Sequence, residues 1–215
     1  MGSHPLPQLF PFPRPLGVFT SFVTKQSERL TLKNKVASLP GNSFDVSLAN
    51  GQPVFKVKGE GISPSFTRRL NVSDMAGNLL FCIRRKQWSG LHGTLYGTGD
   101  NGEDIFEVRS KHIFSNSKLI GTFTTATGQK EQLMIKGNWR DSEAEITDVA
   151  SGQMVAAFHR DRSNARELPH GQCTYNVNVA SNVDMAIIVA LCLCLDLTRE
   201  VPAHPHAVVS GGGGG

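Results

Sequence analysis

The sequence predicts a mainly β protein: a closed twelve-stranded antiparallel β-barrel around a central, buried, hydrophobic C-terminal α-helix. Three observations carry that expectation. Turn signals recur at a near-constant interval, the segments flanking them alternate apolar and polar residues with period two, and one late segment is apolar on every side.

The chain opens with Pro5, Pro7, Pro11, Pro13 and Pro15. That spacing forbids a helix and suits an extended, poorly ordered leader over residues 1–16. Five turn signals follow: Ala49-Asn50-Gly51, Asp74 to Gly77, Asp100-Asn101-Gly102, Ala126-Thr127-Gly128 and Asp148 to Gly152. Each ends on a glycine that takes positive φ without steric cost, and four contain an Asn or Asp able to bond its own backbone. Flanked by strand-like sequence, each reads as a β-hairpin.

The flanks alternate as half-buried strands should. Phe44, Val46 and Leu48 share one face, as do Phe55 and Val57, Leu79, Phe81 and Ile83, Met154, Ala156 and Phe158, and Tyr175, Val177 and Val179. Five hairpins, with strands near Leu30 to Val36 and Thr174 to Val179, bring the total to about twelve. A sheet of that width closes to remove its edges. The run from Met185 to Leu195 is then uninterrupted apolar sequence between Asp184 and Asp196. Ser181 and Asp184 have capping-box spacing, so a helix is expected to start near Asn182. Apolar all round, it must be buried all round. It is too short to cross a bilayer, rising about 17 Å against a hydrocarbon core of about 30 Å. The barrel domain is therefore expected over residues 17–200, with the helix as its plug, and 201–215 as a flexible Pro/His/Gly tail.

Composition agrees. A chain of 215 residues with an ordinary apolar share excludes collagen, low complexity and general disorder. Cys82, Cys173, Cys192 and Cys194 form no disulfide framework and no zinc-type pair. With no apolar run of signal-peptide type at the N-terminus, a cytoplasmic protein is expected, peripheral at the plasma membrane or shuttling to the nucleus. The net charge of +4 is uneven: residues 1–100 hold 12 Lys/Arg against 5 Asp/Glu, and residues 101–215 hold 10 against 13. A basic half of this kind favours polyanions such as anionic membranes or nucleic acid.

The wording of several segments resembles the LURP-one-related family, a branch of the Tubby C-terminal-like superfamily that includes phospholipid scramblases. The stretches are Ser43 to Gly59 (SFDVSLANGQPVFKVKG), Asp74 to Phe81, Ile135 to Trp139, Ala144 to Asp148, Val155 to Ala157 and Thr174 to Ala180. Val183 to Ala186 and Leu195-Asp196 bracket the helix. The resemblance covers about residues 25–200. It implies the same helix-plugged barrel and, through the superfamily, a membrane-tethered regulator: Tubby-like domains bind phosphoinositides and are linked to transcription, and scramblases associate with bilayers.

The best basic cluster is Arg84-Arg85-Lys86 with Trp88, joined by Arg68-Arg69 if Leu70 to Met75 pairs with Leu79 to Arg84. Cations beside an aromatic suit a phosphoinositide headgroup at a membrane surface. Arg109, Lys111 and His112 form a second group. Gly97 to Gly102 matches GxGxxG, but the strand-like Glu103 to Val108 follows where a dinucleotide site needs a helix, so it reads as a hairpin. Catalytic signatures GxSxG and HExxH are missing. His159 to Arg162 reads as a charged strand end without a nucleophile. Cys192 and Cys194 diverge by about 200° on the helix and act as small apolar residues.

The expectation is a non-enzymatic, monomeric binding or regulatory module, without cofactor or metal, whose partner is an anionic phospholipid surface or a protein. A membrane-tethered, transcription-related regulator contacting DNA is the alternative, although no nucleic-acid-binding motif accompanies the cations. A scramblase-like, membrane-associated protein is the second.

Overall fold

In the computed structural model, residues 7–35, 43–60, 69–85, 94–113, 116–138, 143–161 and 174–199 are described. They form twelve strands and one α-helix. The strands are β1 (Glu28–Lys35), β2 (Ser43–Leu48), β3 (Pro53–Glu60), β4 (Arg69–Asp74), β5 (Leu79–Arg85) and β6 (Leu95–Thr98), then β7 (Asp104–Ile113), β8 (Asn116–Thr124), β9 (Lys130–Asn138), β10 (Glu143–Asp148), β11 (Met154–Asp161) and β12 (Thr174–Val179). The helix α1 spans Met185–Arg199.

Every strand pairs antiparallel with its sequence neighbours, and β1 pairs with β12 to close the barrel. The sheet has no unpaired edge, which removes the template for association that an open sheet would present. Alternation sets the wall as predicted: Phe44, Val46, Phe55, Val57, Phe81, Ile83, Val177 and Val179 are buried inside, while Asp45, Lys56 and Arg84 lie on the other face of their strands.

The five glycine turns all fall at one end of the barrel, hereafter the turn end. Gly51, Gly77, Gly102, Gly128 and Gly152 have φ between +72° and +93°, the left-handed conformation that the spacing implied. Side chains close these turns as expected: Asn78 N–H donates to Asp74 Oδ1 at 2.8 Å, and Ser151 N–H to Asp148 Oδ2 at 2.8 Å. In four of the hairpins the register shifts just before the turn, at Val46/Ser47, Val72/Ser73, Gly97/Thr98 and Ile146/Thr147. A left-handed glycine with a bulge is the usual geometry of such short loops. The GxGxxG match is one of these hairpins. Gly97 lies on β6, where only glycine fits, since a Cβ there would fall 2.0 Å from the Phe106 ring.

The helix runs down the lumen from the turn end. Ala186 to Leu195 is buried throughout, with Ile188, Val189, Ala190, Leu193 and Cys194 fully so. Its 15 residues rise roughly 22 Å. No helix among the described residues is long and apolar enough to cross a membrane.

Two details differ from the sequence-based expectation. The helix cap is Asp184, whose Oδ1 accepts from Ala186 N–H at 2.8 Å, and no capping box involves Ser181. The chain must turn from wall to lumen between them. Asn182 takes φ +67° there, and Ser181 Oγ donates instead to the Lys25 carbonyl at 2.9 Å.

The second difference is the Pro-rich leader. Its described part, residues 7–16, contains no helix, yet Leu9, Phe12 and Leu16 are buried in the core, so that part is packed. Residues 9–24 form a strap across the turn end. Phe12 N–H donates to the Ser181 carbonyl, Leu16 N–H to the Asn182 carbonyl, and Thr24 N–H to the Val183 carbonyl. Phe19 and Phe22 seat their rings against Phe81 and Phe55, at 5.8 and 4.8 Å between centroids. The wall-to-helix linker would otherwise leave backbone polar groups unpaired over an apolar lumen, and the strap supplies their partners.

Two substitutions test this architecture. Ile188→Asp should abolish cooperative folding, because a lumen carboxylate has no partner and costs several kcal/mol; far-UV circular dichroism and denaturant titration read it. Leu16→Ala should lower unfolding free energy by about 3 kcal/mol, whereas a dispensable leader would leave it unchanged.

Candidate functional site

The basic cluster predicted from sequence is only partly within the described residues. Arg68, Lys86 and Trp88 lie outside them. Arg69 begins β4, and Arg84 and Arg85 end β5. Leu70 pairs with Ile83, so Arg69 and Arg84 are cross-strand neighbours at the same barrel end, as the hairpin register implied. Each also faces an acid: Arg69 Nη1 lies 4.0 Å from Glu60 Oε2, and Arg84 Nη2 lies 3.7 Å from Asp104 Oδ1. Exposed pairs of this kind contribute at most about 1 kcal/mol, but they reduce the net positive charge of the cluster. Arg85 pairs across to Leu95 at the start of β6.

The second basic group is extended by strand register. Arg109 ion-pairs with Glu107 on its own strand at 3.1 Å, and Lys111 and His112 are strand positions of β7. Lys111 pairs with Lys118 of β8, and Lys118 pairs with Lys136 of β9. Three lysines distant in sequence therefore share one row. Hairpin symmetry about the β7–β8 and β8–β9 turns was the signal that could have found it, but it needs the register, which composition does not supply.

Charge is segregated along the barrel axis. The strand halves away from the turn end hold 11 Lys/Arg against 5 Asp/Glu, and the halves toward it hold 3 against 6. The sequence showed an N-terminal versus C-terminal imbalance; folding converts it into an end-to-end one, because each antiparallel strand contributes to both ends.

The remaining ionisable groups have structural work. Burial pushes the Asp184 carboxyl up to about 6, against the pull of backbone N–H donors from Phe19, Ala186, Val18 and Ile187. Its Oδ2 accepts from Val18 and Phe19 at 3.0 and 2.7 Å while Oδ1 caps the helix, so one carboxylate latches the strap to the plug. Gly17 makes room for it, since a Cβ there would sit 2.0 Å from the Asp184 Cβ. Burial raises the thiols of Cys82, Cys192 and Cys194, the second to about 12, which disfavours the reactive thiolate. His159 Nδ1 lies 3.4 Å from Glu143 Oε1 across the strand, near the end of β11. Among the described residues, no group of three or more His, Cys, Asp or Glu is placed to hold a metal ion.

A closed, helix-filled β-barrel with a charged outer wall defines the class of molecule. A sequence model described as LURP-one-related matches residues 28–196, and the chain belongs to the LURP-one-related family. Among curated relatives from Arabidopsis thaliana, it is 24% identical to Protein LURP-one-related 15 over 80% of this chain and 80% of that protein. It is 27% identical to Protein LURP-one-related 10 over 85% and 96%, and 22% identical to Protein LURP1 over 77% and 81%. The X-ray structure of an Arabidopsis thaliana protein superimposes with a TM-score of 0.59 at 19% identity, covering 86% of this chain and 99% of that one. That likeness shows the shared fold.

The latch gives a pH prediction with a definite sign. The carboxyl binds its proton more tightly folded (about 6) than unfolded (about 4). Its contribution to stability is therefore full below the unfolded value and is lost as pH rises through the folded one. The unfolding free energy of the wild type minus that of Asp184→Asn should fall by on the order of 3 kcal/mol between about pH 4 and about pH 7. A flat difference would contradict the buried latch.

Proposed function

We propose that the protein is a non-enzymatic, peripheral binding module that docks on anionic phospholipid with the loop end of its barrel, the end opposite the glycine turns. The axial segregation of charge carries this reading: a basic end and an acidic end orient a molecule in the field of a negative surface. Cations near an anionic leaflet contribute about 1 kcal/mol each, so a modest net excess suffices for reversible attachment.

Two features of the interior favour binding over catalysis. The lumen, where many barrels hold a ligand, is occupied by α1. Its perturbed carboxyl is committed to helix and strap through four backbone N–H groups. Any ligand is then met on the outer wall. Arg69, Arg84 and Arg85 stand on the basic side of that wall, and Arg68, Lys86 and Trp88 flank them in sequence. Because α1 is wrapped by the strands, the reading uses surface attachment and not helix insertion. It places the protein at the cytoplasmic face of a membrane as a regulator.

Vesicle flotation tests it. The protein should float with phosphatidylserine- or phosphoinositide-containing vesicles at low salt, detach as salt is raised, and ignore phosphatidylcholine vesicles. Failure to float with any anionic vesicle at low salt would overturn the reading.

A further inference from the structure

Several pairings on the outer wall set charge against charge. Lys33 pairs with Asp45 and Asp45 with Lys56, Glu60 pairs with Arg69, and Glu143 with His159. The row Lys111–Lys118–Lys136 breaks that habit. Like charges directly opposite on neighbouring strands destabilise a sheet, and three in one row impose that cost twice. Leu119, Leu133 and Ile135 point inward, so Lys118 and Lys136 stand on the outer face, half-buried and exposed respectively. Among the described residues neither has an acidic partner within 4.0 Å, although Glu145 is the strand neighbour of Lys136.

The next outward row toward the turn end sets the exposed Arg109 of β7 beside an apolar pair. Ile120 pairs with Met134, both half-buried, and neither belongs to the residues packed on the core. Basic positions around an apolar pair, over three strands about 10 Å across, suit the mixed polar and apolar surface of a bilayer interface. Lysines meet phosphate and carboxylate headgroups, and the apolar pair meets the glycerol and upper acyl region. A purely polar polyanion would use the lysines alone.

We propose that the outer face of β7, β8 and β9 is the surface on which an anionic bilayer lands, with Lys118 and Lys136 as its principal headgroup contacts. This rests on the membrane-docking reading above and narrows its basic end to the β7–β9 side, where Lys118 and Lys136 lie in the strand halves away from the glycine turns. Glu145 of β10 is the acidic strand neighbour at one end of the row, and the bilayer supplies counter-charge to the rest.

Partitioning onto mixed phosphatidylserine–phosphatidylcholine vesicles, measured alongside thermal melting, tests the assignment. Lys118→Gln combined with Lys136→Gln should weaken partitioning about 30-fold while leaving the melting temperature unchanged or raised, since a repulsion is relieved. Arg84→Gln combined with Arg85→Gln should weaken it less. If the lysine variant partitions like the wild type while the arginine variant is lost from the vesicles, docking stands but this face is wrong. A wild type that ignores anionic vesicles overturns the docking reading and this proposal together, as does one that binds random duplex DNA while leaving vesicles untouched. A lowered melting temperature in the lysine variant, with binding unchanged, would make the row a structural feature and overturn the proposal.

Discussion

The structure depends on a helix with no polar face. Met185 to Leu195 offers no side on which water could stand, and an α-helix of that kind is stable only when surrounded. Packing it on one layer of sheet would leave half of it wet. Twelve strands joined in a ring with β1 bonded to β12 surround it completely, and the ring in turn needs a filler, because an empty apolar lumen of that width would forfeit its packing. Wall and plug therefore require one another. The recurring glycine turns are the local means of making the wall narrow and regular enough to close.

Threading a helix into a barrel creates a junction problem at the entry. The chain must leave the sheet at Val179, reverse direction through Asn182 with its positive φ, and start a helix beneath it. The strap solves this by laying backbone on both sides of the linker, through Phe12 and Leu16 on one side and Thr24 on the other. Asp184 joins the three parts. Its four N–H partners belong to strap and helix, so its desolvation cost is offset only when both are in place. Loss of one partner would leave the others with a buried charge to satisfy.

Much of this was legible in the sequence and some was not, for physical reasons. The turns were visible because a left-handed position leaves a direct chemical trace, a glycine closing each short turn, directly after Asn at Asn50-Gly51 and Asn101-Gly102. The wall was visible through period two, and the plug because eleven apolar residues in a row have few other uses. The strap was hidden. Leu9, Phe12 and Leu16 follow neither period two nor 3.6, and the prolines between them mark an extended chain whether packed or free. The cap was misplaced because Ser181 and Asp184 fit a capping box by spacing, while the real geometry depends on a donor set from Val18 and Phe19, more than 160 residues away. In the candidate site, the closeness of Arg69 to Arg84 followed from one hairpin, but the acids that face them and the row joining Lys118 to Lys136 required the register of the whole wall.

With the interior committed to stability, the variable chemistry of this molecule lies outside, where the polarity of charge along the axis is set by which half of each strand carries its lysines and arginines. All of this stands on the helix being an integral plug. Native-state hydrogen exchange of the amides from Ile188 to Cys194 measures that most directly. They should exchange only through global unfolding, with the same opening free energy as the best-protected amides of the wall. Exchange of the helix at a distinctly lower free energy than the wall would show that it leaves the lumen while the barrel stays closed, and would contradict the account.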